Sequence, residues 1–185
     1  MKNMLLFYLI VGAAIVVLLV LTVVLLILKK RKKKKKTAVP GINYGNVSVF
    51  FDENNNAFVI PYSKDKHGVG RAVGRPMFLK APYNPLVLGQ TVRSSMSLCK
   101  KRKAYPDTKL MSSLKCKDWS EFSFKKRNIS IYYKDRLGLV FNTTKRTQDG
   151  TYSLNFRGYE KVLSKEAGDI ELGIVIMNLL ERCKC

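Results

Sequence analysis

Met4 to Leu28 is a run of 25 residues without one charged side chain, and Lys29 to Lys36 (KKRKKKKK) follows at once. As a helix rising about 1.5 Å per residue, such a run reaches roughly 37 Å, past a hydrocarbon core about 30 Å thick. A lone segment in lipid satisfies its backbone groups only as a helix. Packed cores rarely surround a helix with apolar groups on every side. A cleaved signal peptide has a shorter apolar stretch, about 7–15 residues, and ends in small residues rather than lysines. The run therefore predicts a transmembrane helix over 1–28, and the basic cluster predicts its orientation. Positive residues stay inside. The expectation is a single-pass inner-membrane protein with its N-terminus outside and a globular domain in the cytoplasm. Lys29, Lys30, Arg31, Lys32, Lys33, Lys34, Lys35 and Lys36 would lie on anionic lipid head groups. Residues 29–45 then form a polybasic stop-transfer segment and linker, ending in the aperiodic TAVPGINYG.

Two corollaries follow from that orientation. The acceptor triplets at Asn46, Asn128 and Asn142 would stay unglycosylated, and Cys99, Cys116, Cys183 and Cys185 would be reduced thiols rather than disulfides.

The rest of the chain, 46–185, predicts one basic α+β domain. Nine of the 34 basic residues fall in the first 36 positions, leaving 25 against all 13 acidic ones, a net of +12 over 37–185. Asn46–Phe51 alternates Val47, Val49 and Phe51 on one face, and Ala57–Tyr62 returns after a polar turn, a hairpin pattern. Ser63–Pro76 reads as a loop rich in Gly, Lys and Arg, and Met77–Leu79 as a short strand. Asn84-Pro85 is an N-cap followed by proline at the first helical position. That helix should run to about Lys103, where Tyr105-Pro106 ends it. A short helix is expected over 107–116. Strands are expected over 128–134, 137–143, 151–157 and 159–163, then a helix capped by Asp169 and ending near Cys183.

The two long helices repeat one another. Leu88-Gly89 is followed by Val92, Met96 and Cys99; Leu172-Gly173 is followed at the same offsets by Ile176, Leu180 and Cys183. Those offsets fall on one helical face, suited to packing on a sheet. The fold class expected is two β-rich halves, each closed by a helix, behind one transmembrane helix.

At these residues the chain resembles a family of bacterial contact-dependent growth inhibition immunity proteins. The pattern from Leu88 to Met96, the Glu171-Leu172-Gly173 helix and the Trp119-Ser120-Glu121-Phe122 stretch between them carry the resemblance, which covers roughly 46–183. It implies a protein that binds and neutralises a toxin domain and performs no chemistry of its own. A domain of charge +12 would be steered toward an acidic partner surface. Tethering at the membrane would raise its local concentration there.

Enzyme chemistry lacks the residues it needs. His67 is the only histidine, and no Ser or Cys stands in a nucleophile signature with it. Gly68, Gly70 and Gly74, with Arg71 and Arg75, are a phosphate-cradle composition. A strand–glycine turn–helix succession is absent, because Pro76 and MFL follow. Cys183-x-Cys185 is the only close cysteine pair, too short for the usual zinc spacing. No cofactor and no metal are expected. Lys100, Lys101, Arg102 and Lys103 at the first helix end would oppose its negative pole. With Arg71 and Arg75 they are the candidate partner-binding residues. The competing interpretation is a membrane-tethered basic module binding anionic lipid or nucleic acid; nucleic acid is the weaker partner, for want of interleaved exposed aromatics.

Overall fold

The computed structural model describes residues 21–22, 45–65, 67–99, 103–134, 136–155, 158 and 160–183. The chain divides into units at Met1–Pro40 and Gly41–Cys185, and the second is described below.

It is an α+β fold with an antiparallel sheet that curls. The strands are β1 (Asn46–Phe51), β2 (Ala57–Lys64), β3 (Gly70–Ala72), β4 (Met77–Leu79), β5 (Arg127–Lys134), β6 (Gly138–Arg146), β7 (Tyr152–Leu154) and β8 (Lys161–Leu163). The helices are α1 (Pro85–Leu98), α2 (Asp107–Leu114), α3 (Trp119–Ser123) and α4 (Asp169–Leu180). Strand order is β3-β2-β1-β5-β6-β7, with β4 also pairing β2 and β8 also pairing β6. Each half thus runs four strands and a helix. The halves meet where β1 pairs antiparallel with β5, Ser48 opposite Ser130.

One sheet face is largely apolar and carries α1 and α4. Val47, Val49, Ala57, Val59 and Leu79 from the first half pack there with Ile129, Ile131, Leu139, Phe141 and Leu163 from the second. Leu88, Val92, Leu172 and Ile176 are fully buried against them. The Leu-Gly pairs explain how the helices meet. A Cβ on Gly89 would stand 1.8 Å from the Asp169 carbonyl oxygen, and one on Gly173 would stand 1.9 Å from that of Pro85. Each glycine seats the first residue of the opposite helix, a contact closer than any side chain permits.

The repeated cysteines have a matching role. Cys99 Sγ donates to the carbonyl of Asn46 at the start of β1, and Cys183 Sγ to that of Asn128 near the start of β5. Burial pushes the Cys99 thiol up to about 11, so it stays protonated and inert. Cys99 and Cys116 are free thiols.

The helix termini follow the local chemistry. Asn84 Oδ1 accepts from Val87 N at 2.9 Å, with Pro85 at the first helical position. Helix α1 stops at Leu98 rather than Lys103; Lys100, Lys101 and Arg102 lie outside the described residues, and no cation occupies its last turn. The N-cap of α4 is Gly168, not Asp169. Asp169 is the first helical residue, and its carboxylate pairs instead with Arg93 of α1, whose guanidinium also donates to the Ala167 carbonyl. The helix ends at Leu180.

Two corrections concern elements the sequence pattern did not show. The segment expected to be a loop over 63–76 contains strand: β2 continues to Lys64 and β3 pairs back on it, Tyr62 opposite Ala72. Asp65 makes the turn, its Oδ1 accepting from His67 N and Val69 N. Helix α3 was not expected; its cap is Asp118, which accepts from Glu121 N, while Glu121 reaches back to Lys117 N.

The membrane placement is also corrected. Among the described residues no helix is long and apolar enough to cross a membrane. The longest, α1, has 14 residues, about 21 Å of helix against a core of about 30 Å. Met4–Leu28, but for Leu21 and Thr22, and the membrane-surface residues Lys29–Lys36 lie outside the described residues.

Candidate functional site

The opposite sheet face changes character across its width. Along one rung Phe58, Phe50, Asn128 and Thr144 stand side by side, and along the next Ile60, Ser48, Ser130 and Asn142. Apart from Ser48 the first half is apolar here and the second polar. Helices α2 and α3 cover the apolar part, where Phe50, Ile60, Ala72, Leu110, Leu114 and Phe122 form a second core. Phe50 holds Trp119, Phe122 and Tyr152 edge-on at 5.3–5.5 Å, favourable geometry for their quadrupoles. Tyr152 comes from β7, so the curl of the sheet folds the second half's edge over onto the first half. Its hydroxyl donates toward the carbonyls of Ser123 and Lys126.

Where β3 meets α2 and α3 the cover is incomplete and leaves an open groove of about 770 Å³. Its floor is Tyr62, Ala72, Leu110 and Met111; its rim carries Arg71, Asp107, Ser112, Cys116, Lys117, Asp118 and Trp119. Gly70 gives the groove its open end: no atom lies within 4 Å of where its Cβ would be. Helix α2 presents Asp107 at its first turn and ends where Lys115 turns left-handed at φ 57°. Trp119 is fixed by its indole N–H on the Gly150 carbonyl, 3.1 Å.

The electrostatics of the groove centre on Arg71. Its guanidinium lies 3.6 Å from Asp65 and 3.8 Å from Asp107. Asp65 is held below the ordinary carboxylate value, first by the backbone hydrogen bond from His67 and next by Val69. Tyr62 goes the other way. Burial pushes its phenol well up, with Tyr152 and Asp107 adding to the rise. Burial also raises the Cys116 thiol, helped by Glu121. Both the phenol and the thiol are thus shifted toward their neutral forms, above an apolar floor and beside a guanidinium held between two carboxylates.

The expected site residues separate. Arg71 is in the groove, and Arg75 and Lys103 are exposed but outside its lining. Lys100, Lys101 and Arg102 lie outside the described residues. The glycine segment does not present a vacant phosphate cradle at its turn, because the amides of His67 and Val69 already point at Asp65. His67 is exposed in that turn. No group of three His, Cys, Asp or Glu suited to a metal occurs among the described residues. Asn128 and Asn142 are buried within strands. Tyr62 and Asp107 were not singled out from the sequence as site residues, and Trp119 stood out there only as part of the stretch that carries the resemblance; the capping pattern Asp118-x-x-Glu121 was the available signal for its helix.

The fold defines a class of small α+β proteins with this duplicated four-strand-and-helix plan, and solved structures share it. A chain of the CdiA-CT/CdiI toxin and immunity complex from Yersinia pseudotuberculosis is similar with TM-score 0.59 at 14% identity, over 78% of this chain and 99% of that one. A protein of unknown function from Neisseria meningitidis is similar with TM-score 0.59 at 14% identity, over 76% of this chain and 96% of that one. No family model matches the chain. No curated protein matches it either.

Proposed function

We propose that this chain is an immunity protein that binds and neutralises the toxin domain of a contact-dependent growth inhibition system through protein–protein contact, without turnover of its own. The fold it shares with a chain of a toxin and immunity complex, over 99% of that chain's length, is the observation that carries this. The groove between β3, α2 and α3 supports it as the contact site. Aromatic and arginine side chains around a concave apolar floor are the composition of binding hot spots. The net charge of the domain would steer an acidic partner toward it.

The test is co-expression with the toxin domain encoded beside this chain, read by protection of the host and by co-purification. Protection and a stable complex are expected. Arg71→Glu should weaken the complex about tenfold or more by reversing charge at the groove. An unprotected host with no complex would refute the proposal. A complex indifferent to Arg71→Glu and to Trp119→Ala would remove the groove from it.

A further inference from the structure

We propose that the groove between β3, α2 and α3 takes a carboxylate side chain of its partner, which seats on the Arg71 guanidinium in place of Asp107. This rests on the groove being the contact site for a toxin domain, and it adds the chemical group that the groove reads. Arg71 is held but not saturated. Its side chain is 48% exposed, and its two carboxylate neighbours stand at 3.6 Å and 3.8 Å. Both are longer than the roughly 2.7–2.9 Å of a charge-assisted hydrogen bond. The two neighbours are not equivalent. Asp65 is 24% exposed, and its Oδ1 accepts from the amides of His67 and Val69, which fixes it in its turn. Asp107 is 76% exposed, and among the described residues its carboxylate has no hydrogen-bond or ion-pair partner besides Arg71. It can swing into water without breaking another bond.

Hydrogen-bonding capacity decides the occupant. What the groove leaves open is mostly donors. A guanidinium carries its N–H groups in a planar fork that matches a carboxylate. Among the described residues Lys117 on the rim has no ion pair, and the Tyr62 hydroxyl has no hydrogen bond. Burial pushes that phenol well up, so it keeps its proton to donate. The other rim carboxylate, Asp118, is already used: its Oδ1 accepts from Glu121 N as the cap of α3. An entering cation would meet Arg71 and Lys117 in a domain of net +12, whereas an entering carboxylate meets donors. The floor of Tyr62, Ala72, Leu110 and Met111 is largely apolar. A partner closing over it excludes water from the new pair, which strengthens it.

The experiment uses the full chain and the toxin domain encoded beside it, with affinity and association rate read by biolayer interferometry. Asp107→Asn should tighten the complex about threefold, chiefly through faster association, because the resident carboxylate no longer competes for Arg71 or repels the incoming one. Arg71→Lys keeps the charge, loses the fork and should weaken the complex about tenfold. Circular dichroism of both variants checks that they fold. An uncharged or basic side chain in the groove would leave the complex unchanged or weaker with Asp107→Asn. That result, or undiminished affinity with Arg71→Lys, would overturn the carboxylate assignment and leave the immunity function standing. No complex with the unsubstituted chain would refute the immunity function, and this proposal with it.

Discussion

The two halves of the domain carry the same plan, and they differ most on the face away from α1 and α4. Ile60 and Asn142 hold equivalent places, each opposite a serine of its half's first strand; Tyr62 and Thr144 are the next pair along. In the first half these positions are apolar or aromatic because α2 and α3 lie over them. In the second half they are polar and satisfied within the sheet: Thr144 Oγ1 donates to the carbonyl and side-chain oxygen of Asn128, and Ser130 Oγ to Asn46 Oδ1. On the shared face the halves stay alike, with glycine facing a helix start in each. Residue type therefore follows what covers a strand, and duplication of the fold survives only where both copies face the same neighbour.

Breaking the shared face should cost most. Gly89→Ala with Gly173→Ala puts two methyl groups against backbone oxygens that cannot swing aside. The pair should lose above about 5 kcal/mol, comparable with the whole stability of an ordinary domain; urea unfolding, or failure to obtain folded protein, reads it. The unlike face should respond unequally. Phe122→Ala opens the aromatic core of the first half and should cost about 3–5 kcal/mol. Thr144→Val in the second half removes one hydroxyl and should cost about 1 kcal/mol. Equal losses in the two variants would contradict the contrast drawn between the halves.

The smallest effect concerns the turn that Asp65 closes. The Asp65 carboxyl is held below its ordinary value of 3.8, so its contribution is present above the unfolded carboxylate value and is lost as pH falls through the lower, folded one. An NMR titration should place its midpoint under 3.8, and Asp65→Asn should flatten the acid limb of stability. A midpoint above 3.8 would contradict the turn geometry.

Much of the architecture was legible in the residues, and what escaped did so for physical reasons. The β1–β2 hairpin, the cap at Asn84 and the duplicated Leu-Gly helices follow from period and capping chemistry, which are local. Strand β3 escaped because three residues including a glycine have no alternation to show; its pairing depends on Asp65 closing the turn. Helix α3 is five residues long, too short for a 3.6-residue period, and only its cap betrays it. Asp169 was misplaced by one residue because its carboxylate serves Arg93 across the helix pair, a tertiary demand. The groove was half legible: Arg71 stood out by charge, whereas Tyr62, Asp107 and Trp119 converge only through the curl of the sheet. The apolar run at the start of the chain was the most conspicuous feature of the sequence, and all of it but Leu21 and Thr22 lies outside the described residues.

The seam between β1 and β5 has a kinetic consequence. Its partners, such as Ser48 and Ser130, are far apart in the chain, and the helix that completes each half leans on the other half's first helical residue. Neither half can bury its apolar side alone, so nucleation must wait for a long loop to close. The domain should appear and disappear as one cooperative event, and a cut in the connection between Cys99 and Asp107 should leave two fragments that are unstructured apart and competent only together.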